Sequence, residues 1–300
     1  MSHVWAVILG GIQGLTEFLP ISSTAHLRLV PWVFGVDTSL PSLASAQFDI
    51  ALHAGSFVAI VIALWSDWVD LVSGAFGHVR PARGSAPPKG GAAAATTSDG
   101  VAPLATHAAS CRRFLGFLVI TSVPGAILGA LLETPLEKYS TPSAFHYAPL
   151  LVGVCLILFG VVLWAADRFA SRQEPISAMT WRRALVVGLA QAVALIPGVS
   201  RSGATMTAGR SIGLSREASA RYSFLAAAPI IGGAAIWGLR HVPVATLFSL
   251  DWVLGFAAAA ISSFVFVRWM LSYLRRHTFT LFLWYRVAAG LLVIVLFFVR

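Results

Sequence analysis

Six stretches of this chain, residues 46–66, 114–132, 147–166, 218–238, 251–274 and 281–299, are each long and apolar enough to cross a lipid bilayer. A helix needs about 20 predominantly apolar residues to do so. The bilayer core holds no water to bond a bare backbone, so a run of this length must bond internally as a helix. The expected fold class is therefore an all-α polytopic membrane protein. Composition agrees: 57% of the residues are hydrophobic and only 11% are charged, against about 25% charged in a soluble domain.

Two further apolar stretches are too short to span. Residues 4–20 and 184–197 each stop at a proline, pass through a hydroxyl-rich turn and continue as a second short helical piece, 24–35 and 203–214. Such broken pairs read as re-entrant hairpins, because irregular backbone at membrane depth is tolerated only where protein buries it or water reaches it. The two stretches also resemble each other. G-I-Q-G-L-T-E-F-L-P-I-S-S from Gly11 and G-L-A-Q-A-V-A-L-I-P-G-V-S from Gly188 share Gly, Gln, Pro and Ser in the same order. Each is followed by three candidate spans. The expected organisation is an inverted duplication of about five helical segments per half, with halves at 1–166 and 181–300.

The net charge of +9 is scattered through short gaps between apolar runs. A nucleic-acid surface would gather it on one face, so no nucleic-acid partner is expected. Scattered Lys and Arg instead set orientation. If 67–113 is a cytoplasmic loop, the cytoplasmic segments hold twelve basic residues, Arg80, Arg83, Lys89, Arg112, Arg113, Arg168, Arg172, Arg182, Arg183, Arg268, Arg275 and Arg276, and the outer segments hold Lys138, Arg240 and Arg300. Residues 81–106, rich in Ala, Gly, Pro, Ser and Thr, read as flexible loop within that segment. Cys111 and Cys155 show neither a disulfide framework nor metal-ligand spacing. No cleavable leader is evident, since the first apolar stretch lacks a basic flank and contains Gln13, Glu17 and Pro20.

Chemistry concentrates in the two hairpins. Gln13 and Glu17 are four apart and share a helix face, and an ionisable group within an apolar stretch is usually functional. Pro20 ends that helix, and Ser22, Ser23 and Thr24 supply hydroxyls or an N-cap, with His26 just beyond. In the second hairpin, P-G-V-S-R-S-G-A-T (197–205) offers hydroxyls from Ser200, Ser202 and Thr205, close approach at Gly198 and Gly203, and the guanidinium of Arg201. That planar fork suits phosphate, and the N-terminus of a following helix favours an anion. Packed as inverted repeats, the two loops would face each other across a site for a lipid phosphate.

At these residues the chain resembles the undecaprenyl-diphosphatase family, the bacitracin-resistance proteins. The matching motifs are Q-G-L-T-E-F-L-P-I-S-S-T-A-H (13–26) and P-G-V-S-R-S-G-A-T (197–205), with F-D-I-A-L-H-A-G-S (48–56), S-R-E-A-S-A-R-Y-S-F-L (215–225) and the order of the spans. The resemblance implies a multi-pass enzyme of the bacterial inner membrane, open to the outer side. It would hydrolyse undecaprenyl diphosphate, an isoprenyl diphosphate lipid, to the monophosphate and inorganic phosphate, recycling the carrier for cell-wall synthesis. It also implies a divalent cation, Mg²⁺ or Ca²⁺. The family's first motif begins with Glu or Gln, and here Gln13 leaves Glu17 as the motif's only carboxylate. Glu17 and Gln13 are the expected metal ligands. Glu17, Ser23, His26 and Arg201 are the expected catalytic residues, and Gln13, Ser22, Thr24, Ser200, Ser202, Gly203 and Thr205 the expected substrate contacts. His26 is expected to move the proton, while attack by Ser23, by His26 or by water stays open. His53, four residues after Asp49 on one face, either reaches the site or is a structural histidine. A homodimer stays open too. So do a flippase of undecaprenyl phosphate, the alternative that broken helices suggest, and a phosphatase acting on other lipid phosphates.

Overall fold

A computed structural model describes residues 2–40, 42–43, 45–78, 107–139 and 148–299. Among these, thirteen α-helices follow one another: α1 (Ser2–Phe18), α2 (Ser23–Phe34), α3 (Val36–Ser39), α4 (Ala46–Ala63), α5 (Trp65–Ala75), α6 (Ala108–Tyr139), α7 (Ala148–Phe169), α8 (Trp181–Val193), α9 (Arg201–Ser211), α10 (Arg216–Leu239), α11 (Val244–Leu247), α12 (Leu250–Leu274) and α13 (Thr280–Val299). Six of them, α4, α6, α7, α10, α12 and α13, are long and apolar enough to span a bilayer, and they fall on the six stretches expected. The chain is a multi-pass, all-helical membrane protein.

Local chemistry sets the ends. Ser45, Thr180 and Ser215 precede α4, α8 and α10, and each side-chain oxygen accepts the N–H three residues on, satisfying a donor that the first helical turn leaves bare. The pairs α1/α2 and α8/α9 are the two short hairpins expected from Pro20 and Pro197. Segment 67–78, expected to be loop, is instead helical through α5. Its Asp67, Leu71, Gly74 and Ala75 are buried, so a short amphipathic face docks where no span was legible. The stretch 81–106 lies outside the described residues.

Packing partners cross between the expected halves. α1 lies against α12, and α8 lies against α6; α4 packs on α12, and α10 on α6; α4 also meets α10, and α7 meets α13. The α1–α12 contact is close because small residues line it. A Cβ on Gly10 would stand 2.4 Å from the Gly255 carbonyl oxygen, and one on Gly14 would stand 1.8 Å from Ser262 Oγ. Small residues let helix backbones approach in membranes, where dispersion rather than water expulsion drives association.

Ion pairs concentrate at the end of the bundle that holds the N-termini of α10 and α13. Arg210, fully buried, and Arg216 both reach Asp167 at 2.8 Å. Arg221 pairs with Asp67 at 2.6 Å, and Arg275 with Glu217 at 3.1 Å. Asp167 on α7 thereby holds the C-terminal turn of α9, whose opposite end carries Arg201. In the loop before α8, Glu174 is bonded by Arg183, which holds its carboxyl below the usual range.

Candidate active site

The two hairpin turns meet at a cavity of about 190 Å³. Glu17, Ser22, Ser23 and Thr24 line it from the first hairpin, and Pro197, Gly198, Ser200 and Arg201 from the second. Both turns use the same unusual backbone. Ser22 has φ 75° and Ser200 has φ 76°, and they are the non-glycine residues with positive φ among those described. Such a conformation costs about 1–3 kcal/mol and persists only where its surroundings enforce it. Each serine also caps the helix it precedes. Ser22 Oγ accepts from Ala25 N at 3.4 Å, and Ser200 Oγ accepts from Gly203 N at 3.1 Å. Two helix N-termini, α2 and α9, therefore open on one cavity, and both favour an anion there.

Glu17, 6% exposed, joins the two hairpins. Its Oε2 accepts Ser23 Oγ–H at 2.6 Å and Gln13 Nε2–H at 3.1 Å, and its Oε1 accepts Arg201 Nη2–H at 2.9 Å. Arg201 is steadied further by donating to the Ser223 carbonyl at 3.2 Å. Its guanidinium also lies 5.8 Å from the centre of the Phe18 ring. A hydroxyl, a carboxylate and a guanidinium thus form one chain, with the cavity beside it.

His53, on α4, lines the same cavity, and its Nε2 lies 3.7 Å from Glu17 Oε2. Its Nδ1 is 2.7 Å from the Asp49 carbonyl. A carbonyl only accepts, so Nδ1 carries the hydrogen and Nε2 is the atom turned to the carboxylate. His26, expected as the proton carrier, does not line the cavity. Its Nδ1–H donates to the Ser22 carbonyl at 2.7 Å, and its Nε2 is 2.7 Å from the Tyr285 hydroxyl, against whose ring it stacks. Both ring nitrogens are engaged, because the phase of α2 directs position 26 toward α13.

Four expected substrate contacts stand behind the cavity wall. Ser202 Oγ donates to the Leu19 carbonyl at 2.8 Å, tying one turn to the other. Thr205 Oγ1 lies 2.6 Å from Ser223 Oγ, anchoring α9 to α10. Gly203 is closely packed, since a Cβ there would stand 3.1 Å from Arg286 Nη1. Gln13 is fully buried behind Glu17, and its Oε1 has no partner.

Arg286 on α13 was not expected. It is fully buried and donates to five carbonyl oxygens: Pro20 at 2.9 Å, Gly198 at 2.9 Å, Val199 at 3.1 Å, Leu156 at 2.8 Å and Cys155 at 3.3 Å. The first three belong to the two hairpin turns. The signal was there in the sequence, as an Arg within an otherwise apolar span marks a functional or structural site.

Comparison with known proteins gives the same answer along the whole chain. The profile of the family described as Bacitracin resistance protein BacA matches residues 6–292. The undecaprenyl-diphosphatase of Pelotomaculum thermopropionicum is 41% identical over 296 residues, covering 99% of this chain and 97% of the relative. Those of Desulforudis audaxviator and Moorella thermoacetica are 39% and 37% identical over 300 residues, covering 100% of each chain. With a helical membrane fold, two motif-bearing hairpins and relatives matched end to end, the chain belongs to the BacA bacitracin resistance protein family.

Proposed function

We propose that this protein hydrolyses undecaprenyl diphosphate to undecaprenyl phosphate and inorganic phosphate, recycling the lipid carrier of cell-wall synthesis. The observation that carries the reading is the Ser23–Glu17–Arg201 chain joined across the two hairpins. The names of the relatives support the substrate. Transport requires binding and alternating access but no nucleophile, whereas here a serine hydroxyl is bonded to a carboxylate beside a phosphate-suited arginine.

In this mechanism Arg201 and the N-termini of α2 and α9 hold the terminal phosphoryl group and stabilise its charge in transfer, the main task in phosphoryl chemistry. Ser23 Oγ attacks phosphorus as its proton passes to Glu17 Oε2, a base within the 2.6–3.2 Å reach that such catalysis needs. The bond from phosphorus to the bridging oxygen breaks, and undecaprenyl phosphate leaves. Glu17 passes that proton to His53; water then attacks the phosphoserine as its proton moves to Glu17, and Glu17 returns it to Ser23 Oγ as the bond from phosphorus to the serine oxygen breaks and inorganic phosphate departs. His53, facing Glu17, takes protons onward toward the cavity. His26 acts by position, bonding the Ser22 carbonyl next to the nucleophile.

A divalent cation fits this site in a limited way. Of the expected donors only the Glu17 carboxylate lines the cavity; Gln13 Oε1 is unpartnered but buried behind it. Mg²⁺ commonly takes one or two carboxylates and completes its shell with water and substrate phosphates. Bound there, it would neutralise diphosphate charge.

The protein resides in the bacterial inner membrane as two inverted repeats, with the cavity open to the outer side. The symmetric exchange of packing partners and the paired Ser22 and Ser200 turns support the repeat, and the charge bias of the loops supports the orientation. The test is phosphate release from undecaprenyl diphosphate by purified protein in detergent, with and without chelator. Release that Ser23→Ala abolishes is expected. Tight binding of the lipid without release would overturn hydrolysis in favour of transport.

A further inference from the structure

A diphosphate presents two phosphoryl groups, and Arg201 is the one guanidinium among the residues lining the cavity. Its planar fork matches a single phosphate. Arg286 lies behind the turns, with its donors taken up by backbone carbonyls. The phosphoryl group nearer the lipid therefore calls for a further cation at the cavity's rim.

Such a cation stands one helical turn away. Thr24 on α2 and His53 on α4 both line the cavity, Thr24 exposed and His53 half-buried. Four residues from each, about 6 Å along its helix, are Arg28 and Asp49. They share the faces of Thr24 and His53. Arg28 Nη2–H donates to Asp49 Oδ2 at 3.0 Å, and the two side chains are 23% and 19% exposed. The pair thus bridges α2 and α4 beside the cavity. Other faces of α2 are turned to the bundle: Ala25 and Leu29 pack with Val152 and Leu156 of α7 and Val293 of α13, and His26 meets Tyr285.

The pair is built to exchange. Side chains on a helix lean toward its N-terminus, and the N-terminus of α2 is at the cavity wall. The stem of Arg28 therefore points back toward Thr24, and rotation about its own bonds carries the head to the cavity. Asp49 lies in the first turn of α4, where the helix dipole favours a carboxylate whether or not a cation is beside it. A partly exposed ion pair adds little to stability, so an anion of greater charge can take Arg28 from Asp49.

We infer that Arg28 is the second phosphate contact: it leaves Asp49 and bonds the phosphoryl group attached to the lipid, while Arg201 holds the terminal one. The inference rests on the hydrolysis reading and deepens it, because a diphosphate is then bonded by two arginines and a monophosphate by one.

The test is calorimetric binding of inorganic diphosphate and inorganic phosphate to purified protein in detergent, with a thermal scan of each variant. Arg28→Gln should weaken diphosphate binding roughly tenfold or more, the loss of a charge-assisted bond, and leave phosphate within about twofold. Asp49→Asn removes the competing carboxylate, so it should tighten diphosphate binding about threefold. The opposite signs separate a substrate contact from a structural strap. If both variants weaken diphosphate binding alike and unfold early, the pair only ties α2 to α4 and the assignment is overturned. It is equally overturned if Arg28→Gln weakens phosphate and diphosphate by the same factor, or if the wild type binds the two anions equally. Wild-type protein that binds diphosphate more tightly, with these variant effects, yet releases no phosphate from undecaprenyl diphosphate would sink the hydrolysis reading and leave the contact standing.

Discussion

Arg286→Lys tests whether one buried cation holds the active site together. The native guanidinium donates to five carbonyl oxygens, three of which belong to the Pro20 and Gly198–Val199 turns. Lysine keeps the charge but has only three donors on one nitrogen, so at least two carbonyls lose their partner. An unsatisfied buried acceptor costs about 1–3 kcal/mol, giving a loss of roughly 2–6 kcal/mol, a large part of the 5–15 kcal/mol typical of a folded domain. Unfolding in detergent should then come at least ~5 °C lower. Turnover should fall about 10²-fold, because Ser23 and Arg201 sit on the two turns that Arg286 joins, and displacement of about 1 Å costs that much. Arg286→Met, which removes every donor, should do worse in both measurements. The assays are a thermal scan and phosphate release on the same preparation. If Arg286→Lys melts with the wild type and turns over normally, the turns are held by Ser202 and helix packing instead, and the reasoning fails.

The remaining predictions concern the site itself and its orientation. Arg201→Lys should lose most phosphate release with little change in unfolding temperature, since charge remains but the fork does not; full activity would refute the clamp. Arg201→Ala should lose roughly 10³-fold or more and also unfold earlier, because Glu17, 6% exposed, is left as a buried carboxylate without its cation. Glu17→Gln keeps a side chain able to bond Ser23 but not a base, so turnover should fall about 10²–10⁴-fold; a smaller loss would make Glu17 a positioning group only. His26→Ala should lower kcat through the Ser22 turn while leaving the pH profile of kcat/KM as in the wild type, with Tyr285→Phe showing a weaker version; a lost limb in that profile would return the proton-carrier role to His26. A cysteine introduced at 138–146 should react with a membrane-impermeant thiol reagent from outside, and one at 85–100 should not; the reverse pattern would invert the topology.

The sequence by itself determined the spans, the two broken hairpins and the motif residues on their turns. Each follows from forces acting on a short stretch alone. The bilayer selects any run of about 20 apolar residues, Pro20 and Pro197 end their helices wherever the rest of the chain goes, and a charge at membrane depth stands out without reference to its neighbours. Glu17, Ser23 and Arg201 were legible for that reason, and Arg286 was open to the same reading. What only the tertiary structure decided is which side chains meet. His26 follows Ser23 by three residues yet faces α13 and Tyr285, while His53, thirty residues from Ser23, is brought to Glu17 by the packing of α4. Ser202 and Thr205 carry the hydroxyls expected of a phosphate loop but spend them on Leu19 and Ser223. The physical reason is helix phase. One residue of spacing turns a side chain by about 100° about its axis, and the partner it then meets depends on helices distant in sequence, whose approach is set by contacts such as Gly10 on Gly255 rather than by any local pattern.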